Sequence, residues 1–113
     1  MNKSNIVYVQ HILERVERIE SFTYGKVEDD FLNSILLQDA VIRNFEVIGE
    51  ATKNISAEFK NTHSHIEWKK IARMRDKLIH HYTVVDIEFI WTTIQLMIPP
   101  LKADLLGLLD DLK

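Results

Sequence analysis

The chain has 113 residues, 46% hydrophobic and 27% charged, with a formal net charge of −3 and no cysteine. That is enough for one domain with a modest core, and it excludes a disordered chain, a disulfide scaffold and a thiolate metal site. It also argues against a protein coated in base for nonspecific grip on nucleic acid.

The charge is unevenly spread. Residues 69 to 81 hold five Lys or Arg against one Asp, a local +4 that leaves −7 for the rest. One positive helix on an acidic body is a focused site. No apolar run approaches a membrane span; the longest, around Ile94 to Leu101, is broken by Gln95 and two prolines. The start, M-N-K-S-N-I-V-Y, lacks the apolar block of a signal peptide. A single cytoplasmic domain over residues 1–113, with no membrane association, is expected.

Helical periodicity runs through almost the whole chain, and β-branched alternation is nowhere sustained. Ser4 or Asn5 can cap a first helix whose apolar face is Val9, Ile12, Leu13, Val16 and Ile19. Its solvated side carries a Glu14–Arg18 pair at i,i+4, and it ends near Phe22, before a turn at Gly25. Val27 to Asp30 opens a second helix running to about Ile55, roughly 40 Å long. Asp39, Arg43, Glu46, Glu50 and Lys53 form a narrow polar stripe on it, read as solvent or dimer surface. The rest is so apolar that this helix is central to a bundle or faces a second subunit. Gly49 within it costs about 1 kcal/mol against Ala, which close approach of a neighbouring helix would offset.

Residues 56 to 64 read as a connection. Ser64 and Glu67 make an S-x-x-E capping box for a helix from Trp68 to about His81. Thr83 with Asp86 resembles a second box, opening a helix with Ile87, Ile90, Trp91, Ile94 and Met97 or Ile98 inward. Pro99-Pro100 is expected to kink or split that helix, with Leu101, Leu105, Leu108 and Leu109 on its last piece. The architecture predicted is all-α, an antiparallel bundle of four main helices with the last kinked or split at Pro99-Pro100.

The Trp68 helix carries the chemistry. Trp68, Ile71, Ala72, Leu78, Ile79 and Tyr82 form its apolar stripe, with Arg75 in the middle. A guanidinium there is costly to desolvate without an anion, because its charge cannot be titrated away. Lys69, Lys70, Arg73 and Lys77 flank it as candidate phosphate-binding groups, and His80, His81 and Tyr82 follow. This set suits RNA cleavage without a metal. A 2′-hydroxyl attacks the adjacent phosphate with help from imidazole as acid or base, while arginine takes the developing charge. Asp76 stands four residues before His80, placed to orient the imidazole. Arg75 and His80, five residues apart, point roughly 140° apart on a regular helix, and one His80 cannot be both acid and base. A two-fold dimer would answer both difficulties. No metal and no cofactor is expected.

R-D-K-L-I-H-H-Y, Arg75 to Tyr82, resembles the R-x4-H-x-Y signature of HepT-like toxins in the HEPN superfamily. Trp68, the V-V-D at 84 to 86, Ile90-Trp91 and the I-G-E-A at 48 to 51 strengthen the likeness, which covers nearly the whole chain. It implies a homodimeric helical bundle with the motifs lining an interface cleft, and ribonuclease activity carried by Arg75 and His80. It further implies a minimal nucleotidyltransferase antitoxin that attaches AMP to Tyr82. Arg73 stands where a glycine is common, and Thr83 replaces a frequent aromatic.

Blander readings stay open. Arg75 can be a structural arginine paired with a buried acid, Lys69 and Lys70 a solvated face, Tyr82 plain core and His81 a bystander. A zinc set drawn from His63, His65, His80 and His81 lacks cysteine and ligand spacing. The chain can also be a non-catalytic nucleotide-binding or scaffold partner of a nucleotidyltransferase, or a plain helical interaction module.

Overall fold

The computed structural model describes residues 3–80 and 86–112; residues 81–85 and the side chains of Lys3, Ile79 and His80 lie outside that description. Six helices and no strand are found among the described residues: α1 (Lys3–Thr23), α2 (Glu28–Leu32), α3 (Ile35–Lys53), α4 (Ala57–Thr62), α5 (Trp68–His80) and α6 (Ile87–Asp111). The four long helices are those expected. The two short ones are not.

In α1, Val9, Ile12, Val16 and Ile19 are completely buried, so the i, i+3/i+4 stripe faces the core as its spacing requires. Arg18 donates to Glu14 at 2.7 Å on the outer side. Capping by Ser4 or Asn5 is corrected, because the helix already starts at Lys3. Asn5 is instead buried, donating to Ser56 Oγ at 3.1 Å and accepting from the Ser56 amide at 3.0 Å. It ties the first turn of α1 to the start of α4. Gly25, at φ 70°, supplies the left-handed residue of the turn into α2.

The expected long second helix is broken at Asn33-Ser34. Asn33 donates from its side chain to the Asp29 carbonyl at 2.8 Å and closes α2. Ser34 takes an extended conformation and its hydroxyl accepts from the Leu37 amide, capping α3. Gln38 spans the break by donating to the carbonyls of Phe31 and Leu32. The break turns Phe31 fully inward, its ring 5.5 Å from that of Trp91. Such aromatic pairs add roughly 0.5–1.5 kcal/mol beyond their buried area.

The predicted connection at 56 to 64 contains α4, capped by Ser56 accepting from the Phe59 amide. Ser64 does not cap α5. The chain turns at residues 63–66, and the Glu67 carbonyl takes the first helical bond, from Ile71. Asp86 is itself the cap of α6, accepting from the Phe89 amide, not the distal member of a box with Thr83, which lies outside the described residues. α6 is not split at Pro99-Pro100; it is one helix to Asp111. Both prolines are exposed, as are Gln95 and Leu96, whose carbonyls lose their amide partners. Those acceptors face solvent, so the helix continues.

α3 packs between α1 and α5, while α6 packs on α1 and α2. This centrality agrees with its apolar girth. Among the described residues no helix is long and apolar enough to cross a membrane.

Candidate functional site

The α3–α5 contact is built on Gly49. A Cβ added there would overlap Cβ of Arg75 and lie 2.5 Å from its Cγ, so α5 can seat only because position 49 has no side chain. The cost of a helical glycine is thus offset by close packing, and the packed atoms are the stem of Arg75.

Arg75 borders the buried stripe of α5 formed by the described residues, with the Ile79 side chain and Tyr82 outside that description. The stripe is Trp68, Ile71, Met74 and Leu78, all buried. Met74 completes the i, i+3, i+4 pattern that the placement of Arg75 obscured. The Arg75 side chain is 26% exposed; Nη2 is 2.9 Å from Glu50 Oε2, and Nη1 donates to Asp76 Oδ1 at 3.4 Å. Its Nε is buried with no partner among the described residues. Glu50 and Lys53, read from the sequence as solvent or dimer surface, are exposed as expected and also meet α5. Glu50 pairs with Arg75, and Lys53 donates to Asp76. The signal was present, since Glu50 and Lys53 are spaced one helical turn apart with signs opposite to Arg75 and Asp76. Arg43 and Glu46 pair with each other, at 3.7 Å.

Arg43, Glu46, Glu50 and Arg75 border a groove of about 410 Å³ that Tyr8 and His11 of α1 also line. Neither α1 residue stood out in the sequence, because nothing local to α1 shows which of its side chains will face α5.

Asp76 is held below the ordinary aspartate range, first by the hydrogen bond from the Lys53 ammonium and further by the charges of Lys53 and Arg75. The expected orientation of His80 by Asp76 lies outside the described side chains. The backbone of α5 runs helically through His80, so the 140° offset from Arg75 stands within one chain. Tyr82 and His81 lie outside the described residues.

The flanking cations divide between faces. Lys70, Arg73 and Lys77 border a second groove, toward α6, with Lys70 Nζ 3.6 Å from Glu67 and Lys77 Nζ 3.7 Å from the centre of the Phe89 ring. Lys69 and Arg73 are exposed and make no ion pair among the described residues. The positive helix therefore presents a guanidinium on the α3 side and a cationic row on the outer and α6 sides. Of the histidines considered for zinc, His63 stacks at 4.5 Å on Phe59 and stands 6.4 Å from His65, and the His63 carbonyl accepts from Trp68 Nε1.

Residues 12–106 match the family model described as Ribonuclease HepT-like. The chain is 48% identical over 103 residues to "Probable ribonuclease HepT" of Thermococcus cleftensis, covering 91% of this chain and 94% of that protein. It is 47% identical over 112 residues, 99% of its length, to "Gamma-glutamylcyclotransferase and putative RNase" of Methanocaldococcus jannaschii, and spans half of that protein. A third relative, "Putative RNase" of Caldanaerobacter subterraneus subsp. tengcongensis, is 44% identical over 95 residues, 84% of this chain and 85% of its own. No solved structure matches. A helical bundle with Arg75 seated on Gly49, matched over most of its length by that model, belongs to the HepT-like ribonuclease family of the HEPN superfamily.

Proposed function

We propose that the chain is a toxin endoribonuclease that cleaves RNA without a metal, using Arg75 and His80 at a homodimer cleft. The observation that carries this reading is Arg75 itself. Its stem is locked against Gly49 and its Nη2 is engaged by a carboxylate at 2.9 Å, a distance suited to a phosphate oxygen, while Nε has no acceptor among the described residues. A guanidinium fixed in this way meets developing charge with little reorganisation.

In the reaction a base takes the proton of a 2′-hydroxyl, and that oxygen attacks the adjacent phosphorus. Arg75 bears the charge gathered on the non-bridging oxygens. An acid returns a proton to the departing 5′ oxygen, leaving a 2′,3′-cyclic phosphate. His80 performs one proton transfer and His80 of a second copy the other, which is why a dimer is required. Lys69, Lys70, Arg73 and Lys77 draw the RNA backbone toward α5. Asp76, already engaged by Lys53, supports the site from the α3 side.

Control follows from Tyr82. A minimal nucleotidyltransferase antitoxin joins its phenolic oxygen to the α-phosphate of ATP with loss of pyrophosphate, and the resulting anion occupies Arg75 and excludes RNA. The test is cleavage in EDTA by wild type, Arg75→Ala and His80→Ala, each checked for fold by circular dichroism. Only wild type is expected to cut. Cleavage by folded His80→Ala, or activity that returns only with added metal, removes this reading.

A further inference from the structure

The described residues of α5 and α6 face each other across a cleft. A groove of about 520 Å³ runs between them, and it continues past Glu67, Lys70, Leu96 and Met97 into a smaller cleft reaching Pro100 and Asp104. Its α6 wall, residues 89 to 104, is about 22 Å long, or four helical turns.

The two walls differ in chemistry. Along α6, Phe89 and Leu96 stand at i and i+7 with threonines between them, and Leu96 is 72% exposed in the middle of the helix. Met97 and Met74 lie beside them. Along α5, Lys70, Arg73 and Lys77 stand at i, i+3 and i+7, one cationic edge. Glu67 and Asp104 mark the far end. Apolar anchors two turns apart facing a row of like charge are the complement of one kind of ligand, an amphipathic helix with acid on one flank.

We propose that this groove docks an acidic amphipathic helix of a protein partner. Four turns of helix fit its length. Leucine-like anchors meet Leu96, Met97 and the uncovered edge of the Phe89 ring, carboxylates meet Lys70, Arg73 and Lys77, and the positive N-terminal end of the helix points to Glu67 and Asp104. A nucleic acid strand is the poorer occupant. Leu96 and the methionines offer no flat face to a base, and the Phe89 ring is covered by the Lys77 ammonium. Docking is independent of the ribonuclease reading. One consequence rests on that reading: a helix covering Lys70, Arg73 and Lys77 would exclude RNA from the same row.

The probe is a fluorescein-labelled peptide of about 15 residues, with Leu recurring every three to four positions and Glu on one flank. Its anisotropy is titrated with the whole chain. Comparators are the same composition scrambled out of phase, a Lys-for-Glu version and a single-stranded RNA of matching length. The acidic amphipathic peptide is expected to bind, and Leu96→Ser and Arg73→Glu each to weaken it about tenfold or more. Both residues are exposed, so circular dichroism should be unchanged. Equal binding of the scrambled peptide, indifference to Leu96→Ser, or RNA binding that depends on Leu96 as strongly as peptide binding does would overturn the proposal. A dimer that falls to monomer in Leu96→Ser would assign the groove to a second copy and overturn it equally.

Discussion

Gly49→Ala is the sharpest structural perturbation, because the added methyl has nowhere to go. Carbon atoms in contact rest about 3.5–4.0 Å apart. The new Cβ would lie 2.5 Å from Cγ of Arg75 and closer still to its Cβ, which moves only with the α5 backbone. The helices must separate by about 1 Å or more, and overpacking of this kind costs about 1–3 kcal/mol. Replacing a helical glycine returns about 1 kcal/mol. The net is a loss of up to about 2 kcal/mol, a fall in Tm of up to about 10 °C for a chain of this size. Gly107 in α6 is the internal control, since a Cβ there meets nothing within 4 Å. Gly107→Ala should raise stability by about 0.5–1 kcal/mol. Thermal unfolding followed by circular dichroism reads both. RNA cleavage by Gly49→Ala, measured well below its Tm, should also fall, because the methyl displaces Arg75. If Gly49→Ala is as stable as Gly107→Ala and as active as wild type, the argument that position 49 seats the arginine is wrong.

Three further outcomes follow from local geometry. Asn5→Ala should cost about 1–3 kcal/mol, because it removes both hydrogen bonds between buried Asn5 and Ser56, each worth about 0.5–1.5 kcal/mol; urea denaturation with no change in midpoint would contradict the α1–α4 tie. Ser34→Ala, which removes the cap of α3, should cost about 0.5–2 kcal/mol in the same assay, and no loss would mean the break at Asn33-Ser34 does not depend on that hydroxyl. Lys53→Met should raise the Asp76 pKa toward its ordinary value of 3.8, read by carboxyl-carbon NMR titration. A depressed aspartate pKa stabilises the fold above the ordinary value, and that stabilisation is lost as pH falls through the lowered folded value. The stability gap between wild type and Lys53→Met should therefore hold at neutral pH and close in acid below 3.8. A gap that persists unchanged in strong acid would place its origin elsewhere.

The bundle was legible in the sequence because burial imposes a period. Val9, Ile12, Val16 and Ile19 face inward wherever the helix is placed. What the period cannot show is where a helix pauses without losing phase. Asn33-Ser34 interrupts an apolar run that reads as continuous, since the pause is decided by Ser34 and Gln38 bonding locally to backbone. Pro99-Pro100 differs in the opposite sense: of the kink or split expected from missing amides, the split is avoided, because the residues whose carbonyls are freed lie on the wet side. In the site, the choice of Arg75 came from its cost of burial and from the motif. Its partner Glu50 and its neighbours Tyr8 and His11 did not, because they arrive from other helices. I-G-E-A at 48 to 51 was the nearest hint, holding both the glycine that admits Arg75 and the acid that meets it.

Arg75 and His80 acting together on RNA is the central claim, and the chemistry of the product ends tests it most directly. RNA is incubated in EDTA with wild type and with folded His80→Ala, and the fragment termini are identified by mass spectrometry. Attack by the 2′-hydroxyl predicts a 2′,3′-cyclic phosphate and a 5′-hydroxyl from wild type and no fragments from His80→Ala. A 5′-phosphate end, or the same cyclic phosphate from the variant, would contradict the account.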